Sequence, residues 1–314
     1  MILDIDTSLG YPEIGALLSG VLFGILTMQV YIYHRNFPND SGWIKFGLVD
    51  SMWLFELAHT ICEFYGLYYV TVFRYGDPTV FLAFPHELAA VPVFDGLIIT
   101  IVQGFFTHRI AKFAGPPYTV PIVCCILMVF QMVASIGLSA AVIAEQSTYH
   151  FLDQWTWLII TACFSHIAID IILSTALVYN LIKNRSTTTY RSTYFIIDKL
   201  IQWAIETGVV TSSVSIIVMI CFLINPTNFL WVTFYAVLPK FSSNAMLANL
   251  NSRMRLRDMQ VTTVTELVTI PLPGTTAQSL EVQTNLPETS GVPRESIMEE
   301  GHQSEIKTLP VTQD

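Results

Sequence analysis

Seven apolar stretches of roughly 20 residues or more constrain this chain more than any other feature of it. They run 13–34, 43–70, 87–108, 119–143, 154–182, 199–224 and 228–249. About 20 apolar residues are needed to cross the hydrocarbon core of a bilayer as a helix. The pattern therefore predicts an all-α integral membrane protein, a seven-helix bundle. Composition agrees: 53% of the residues are hydrophobic and 12% charged, against roughly 25% charged in an ordinary soluble domain. The short connections "RNFPNDSG", "RIAKFAGPPY" and "NPTN" carry the Pro, Gly and Asn expected of turns.

Basic residues divide unequally between the two sets of loops. Arg35, Lys45, Arg109, Lys112, Lys183, Arg185, Arg191, Lys199, Arg253, Arg255 and Arg257 fall on one side, and Arg74 on the other. Basic residues in short loops stay cytoplasmic. This puts the N-terminus, with Asp4, Asp6 and Glu13, outside and the C-terminus inside. The sequons at Asn39 and Asn184 then lie on the cytoplasmic side and are expected to be unused. "MILDIDTSLGYPE" lacks the basic n-region and cleavage site of a secretory leader, so the first span is expected to be retained. Plasma membrane is the default location.

The domain reading has three parts: a short outer N-terminus, 1–12; a seven-span domain, 13–257; and a tail, 258–314. The tail is rich in Thr, Ser, Glu, Pro and Gln and nearly lacks aromatics. Such a segment buries too little apolar surface to offset its chain entropy, and it reads as disordered and cytoplasmic. All five cysteines, Cys62, Cys124, Cys125, Cys163 and Cys221, fall within apolar stretches. They suggest small buried hydrophobes rather than a disulfide framework or zinc site. The sequence carries no phosphate-binding glycine loop, nucleophile elbow or zinc signature. No cofactor, metal or nucleic-acid partner is expected, and no soluble catalytic motif is present.

Ionisable residues inside the spans are the best pointers to a site, since each costs about 2.5–3.5 kcal/mol at mid-membrane on insertion scales. Glu56, His59 and Glu63 are spaced three and four apart, hence on one helix face, with Asp50 on another. Asp95 follows Pro92. His166 and Asp170 are one turn apart, as are Gln202 and Glu206. Lys240, Asn244, Leu247 and Asn251 share a face of the seventh span. Each of these is read either as interhelical glue or as the lining of a cavity. Lys240 lies near mid-depth, and the reading is a buried ion pair with Asp50, Asp170 or Glu206. A lysine in the seventh span also occurs in microbial rhodopsins, but their pocket residues are not matched here.

Three stretches together resemble one family. They are "LIITIVQGFFTHRIAKFAG", "SHIAIDIILSTALVYNLIKNRS", and the run from "DKLIQWAIETGVVTSS" through "NPTNFLWVTFYAVLPKFSSNAMLANLNSR". The family is the fungal, mainly basidiomycete, group of seven-helix membrane proteins known as a domain of unknown function. The most specific matches include Asp198, Gly208, Lys240, Asn244, Asn251 and Arg253, with Gln103, Phe105, Phe106 and Arg109 as a second anchor. Ser242 and Glu56 depart from the usual aromatic and aspartate. The resemblance implies a fold and a membrane location and supplies no reaction.

The functional expectation is a receptor- or sensor-like protein. Short outer loops favour a small or lipidic ligand, and the inner tail suits a cytoplasmic partner. A transporter or channel using the intramembrane acid–base residues is the alternative. A membrane enzyme built on Glu56, His59 and Glu63 ranks third.

Overall fold

The computed structural model describes residues 9–77, 86–114, 118–145, 147–186 and 191–268. The N-terminal eight residues and the tail beyond Val268, expected to be disordered, lie outside the described residues. Seven α-helices are present among those described: α1 (Tyr11–Asn36), α2 (Ser51–Tyr68), α3 (Ala90–Ala114), α4 (Thr119–Ala144), α5 (Thr148–Ser186), α6 (Arg191–Ile224) and α7 (Leu230–Val268). Two π-helical segments, Trp43–Asp50 and Tyr69–Phe73, flank α2 and divide what the sequence reads as one span. Helix α7 runs on to Val268, past Asp258, where the sequence reading begins the tail; the compact unit ends at Thr269.

Four helices are long and apolar enough to cross a membrane, α1, α3, α4 and α5, and a shorter apolar run occupies Gly208–Ile224 of α6. Helices α2 and α7 supply the fully buried Glu56 and Lys240 described below. Helix α4 shows why lipid is the natural solvent. Its exposed positions Ile122, Ile126, Val129, Val133 and Ile136 repeat every three to four residues. The opposite stripe, Cys124, Met128, Gln131 and Ser135, is buried. Apolar side chains face out and polar ones face in, the reverse of a soluble amphipathic helix.

Each helix packs against its neighbours in sequence, α7 closes onto α1, and α3 also touches α5 and α7. Small residues let helices approach closely where lipid gives no hydrophobic drive. A Cβ on Gly15 would stand 2.8 Å from the Thr233 Cα, and one on Gly208 would overlap Ser174. The seam between α1 and α7 is held by three bonds of one kind. Thr233 Oγ1 donates to the Tyr11 carbonyl (2.6 Å), Asn244 Nδ2 to the Leu22 carbonyl (3.1 Å) and Asn251 Nδ2 to the Gln29 carbonyl (2.9 Å). All three span 222 positions in sequence, so the two helices run parallel in a single register.

At the end where α1 finishes, Arg253 Nη2 bonds Asp40 Oδ2 at 2.6 Å, and the Tyr33 hydroxyl donates to the same oxygen at 2.8 Å. The guanidinium lies over the Phe37 ring, 4.5 Å from its centroid. Burial draws the Asp40 carboxyl up. The bonds from Arg253 and Tyr33 and the charges of Arg253 and Lys45 outweigh it and hold Asp40 below the ordinary carboxylate value.

Candidate functional site

Two polar clusters occupy the bundle interior, and they differ in how completely they are bonded. The first joins α2 to α7. Lys240 Nζ stands 2.5 Å from Glu56 Oε2, with both side chains fully buried. The ammonium also meets Thr60 Oγ1 at 2.9 Å, His59 Nδ1 at 3.2 Å and the Glu56 carbonyl at 3.3 Å. Because Lys240 can only donate, His59 Nδ1 accepts. The Ser243 hydroxyl, one helical turn beyond Lys240, donates to the other Glu56 oxygen at 2.6 Å. Phe23 of α1 lies alongside, its centroid 5.9 Å from the nitrogen. Pro239, the residue before Lys240, sits inside α7.

The ion pair expected of Lys240 is therefore present, but its partner is Glu56 and not Asp50, Asp170 or Glu206. Depth explains the correction. Glu56 lies twelve residues before Tyr68 and Lys240 ten residues after Leu230, about 18 and 15 Å along their helices at 1.5 Å per residue. Asp50 lies beyond the start of α2 and pairs instead with His34 Nε2 at 2.7 Å. Glu206 is exposed on α6 and accepts from Gln202 Nε2 at 2.8 Å. Asp170 belongs to the second cluster. Asn244 meets α1 through Leu22 and also Gln29, whose amide donates to Asn244 Oδ1 at 3.2 Å. It is glue between helices.

The second cluster lies between α3, α4 and α5. His166 Nε2 stands 3.5 Å from Asp170 Oδ2. Gln131 and Gln103 point their amide nitrogens at His166 Nδ1, at 3.2 and 3.5 Å, and Gln103 also bonds Asp170 Oδ1 at 3.3 Å. Asp95 takes a bond from the Tyr235 hydroxyl of α7 at 3.1 Å. On the α2 side, Ser19 donates to Glu63 Oε2 at 2.5 Å, and His59 Nδ1 lies 3.6 Å from that oxygen.

Glu63, Asp95, Gln131, His166 and Tyr235 border a cavity of about 270 Å³. It lies at the end of the bundle where α1, α3, α5 and α7 begin. Leu138, Val142, Phe151, Ile159, Phe229 and Trp231 make its walls apolar, while Glu63, Asp95, Gln131 and His166 supply polar groups. A smaller space of about 40 Å³ also touches His166 and is lined by Asp170, Gly208 and Ser242. Among the described residues, no group of three or more His, Cys, Asp or Glu side chains is placed to hold a metal ion. Of the ten residues singled out from the sequence, the structure brings Glu63, Asp95 and His166 to one cavity. Glu56, His59 and Lys240 adjoin it as a separate bonded group. Gln131 and Tyr235 were missed because the reading searched for ionisable side chains. The visible signal was a glutamine inside α4, an otherwise strongly apolar helix.

Residues 166–255 match the family described as "Family of unknown function (DUF6534)". The match begins at His166 in α5 and takes in α6 and the part of α7 that carries Lys240, Asn244 and Arg253. It includes the stretches where the sequence shows its most specific resemblance, and it assigns no activity. Glu56, His59, Glu63 and Asp95 lie outside it. No curated protein and no solved structure matches the chain.

Proposed function

We propose that this chain is a seven-span membrane protein, N-terminus outside and C-terminus cytoplasmic, that binds a small or lipidic ligand within its bundle as a receptor or sensor. The observation that carries this reading is the cavity. Its apolar walls and few polar groups have the composition of ligand sites, and at about 270 Å³ it lies near the lower end of their size range. Under the orientation read from the basic loops, it opens toward the outer face. Helix α7, which contributes Trp231 and Tyr235 to the wall, continues to Val268 at the opposite end.

A transporter is the second reading. It is favoured by His166, which borders both the large cavity and the smaller space leading to Asp170. Mass spectrometry of small molecules copurified with the full chain tests the binding reading: wild type should carry a ligand that Leu138→Trp, which fills the cavity, loses. Ligand-dependent flux in proteoliposomes separates the two readings. Flux abolished by His166→Ala would favour transport, and binding without flux would favour the receptor.

A further inference from the structure

The polar atoms left over around the cavity define the chemistry of what enters it. Glu63 has one oxygen bonded by Ser19, and its Oε1 has no hydrogen-bond partner among the described residues. Asp95 has one oxygen bonded by Tyr235, and its Oδ1 has none. Gln131 turns its nitrogen to His166 and leaves its Oε1 unpartnered. All three atoms are buried, and Asp95 and Gln131 are 6% and 5% exposed. All three residues line the same cavity, and all three atoms can only accept when the acids are ionised. His166 Nε2, the remaining unpartnered atom of a lining residue, faces Asp170 at 3.5 Å.

Charge points the same way. Lys240 is committed to Glu56. Among the described residues no lysine or arginine pairs with Glu63 or Asp95, and the ring nitrogen nearest Glu63, His59 Nδ1 at 3.6 Å, accepts from Lys240 and so carries no hydrogen toward Glu63. Two buried carboxylates without a fixed cation are costly. An anionic ligand would add to that cost. A neutral alcohol would donate one hydrogen. An ammonium group donates up to three and carries the missing charge. A bare inorganic cation would leave the apolar walls, with Phe151, Phe229 and Trp231, without a role.

Resting on the cavity reading above, we propose that the ligand is a small apolar amine. Its ammonium seats against Glu63 and Asp95 with Gln131 as third acceptor, and its hydrocarbon or aromatic body lies along the walls.

The test uses the full chain in neutral phosphatidylcholine nanodiscs at pH 7, with thermal unfolding read against added phenethylamine, octylamine, 2-phenylethanol and 3-phenylpropionate. A ligand that binds only the folded protein raises the unfolding temperature in proportion to its occupancy. At least one amine is expected to stabilise at tenfold lower concentration than the alcohol, and the carboxylate not at all. Asp95→Asn and Glu63→Gln should each weaken the amine at least tenfold and the alcohol by clearly less. Leu138→Trp should abolish both. Equal potency of amine and alcohol, or amine binding unchanged in both carboxylate variants, overturns the amine assignment while the cavity remains a binding site. If no probe stabilises the wild type, or if Leu138→Trp changes nothing, the cavity reading falls and takes the amine with it.

Discussion

The Lys240 cluster and the floor of the cavity lie side by side in the same bundle and contain similar residue types, yet they are built on opposite terms. Around Lys240 both oxygens of Glu56 are bonded, the ammonium has four partners, and neither side chain of the pair reaches solvent; His59 Nε2 is the buried atom of the group that has no partner among the described residues. At the cavity, Glu63 and Asp95 each have one bonded and one unbonded oxygen, and both residues line its wall. A buried polar network that is complete gives rigidity and a unique arrangement, whereas an incomplete one is energetically costly. The difference separates the structural pair from the candidate binding group more sharply than residue type or depth does.

The largest effect that can be asked of this comparison comes from Lys240→Met. It strands Glu56 without its cation, and thermal or denaturant unfolding in detergent should show a loss of about 3–5 kcal/mol. Adding Glu56→Gln should recover part of that loss. A single variant as stable as wild type would erase the distinction between the clusters. Next comes Asn244→Ala, which removes bonds to Leu22, Lys240 and Gln29. The expected loss is about 1–2 kcal/mol, typical of interhelical polar contacts. Asp95→Asn should cost less, about 1 kcal/mol or below, since only the Tyr235 bond is perturbed. A cost matching that of Lys240→Met would mean that the cavity floor is as structural as the ion pair.

The smallest effect is a pH dependence at the far end. The folded-state value of Asp40 is depressed, so its contribution is present above its unfolded value, about 3.9. It fades as pH falls through the lower folded value. Unfolding followed from pH 6 downward should show wild type losing stability below about pH 4, and Asp40→Asn should show a shallower decline. With Arg253 40% and Asp40 22% exposed, the difference should be modest and diminish with salt. An identical acid profile in the variant would remove Asp40 from the account.

Much of the fold was legible because a bilayer permits few forms. The apolar stretches became helices, but α5 and α6 begin six and eight residues earlier than read and α7 runs nineteen residues past Asn249; the span that changed character was 43–70, where π-helical segments flank α2. Periodicity along a single helix was also informative: Glu56, His59 and Glu63 do turn inward together. Pairing between helices was not legible from composition. Lys240 met Glu56 because the two sit at comparable depths on touching helices, a condition that rise per residue would have exposed had it been applied to both partners. Tyr235 escaped notice because its role depends on its neighbour Asp95, whereas Gln131, a glutamine inside strongly apolar α4, stood out and was passed over.

The shared register of Tyr11–Thr233, Leu22–Asn244 and Gln29–Asn251 has a mechanical meaning. Two rods splinted at three points cannot slide or twist past one another without breaking the splints in sequence. Tyr235 and Trp231 belong to one of these rods, so a push delivered at the cavity wall would be borne by α1 and α7 as a single beam. Such a beam turns as a unit, and its far end, where Arg253 grips Asp40, becomes the place where a small rotation is felt as leverage. Spin labels placed on the far ends of α1 and α7 should accordingly keep a constant mutual distance while both shift against α4.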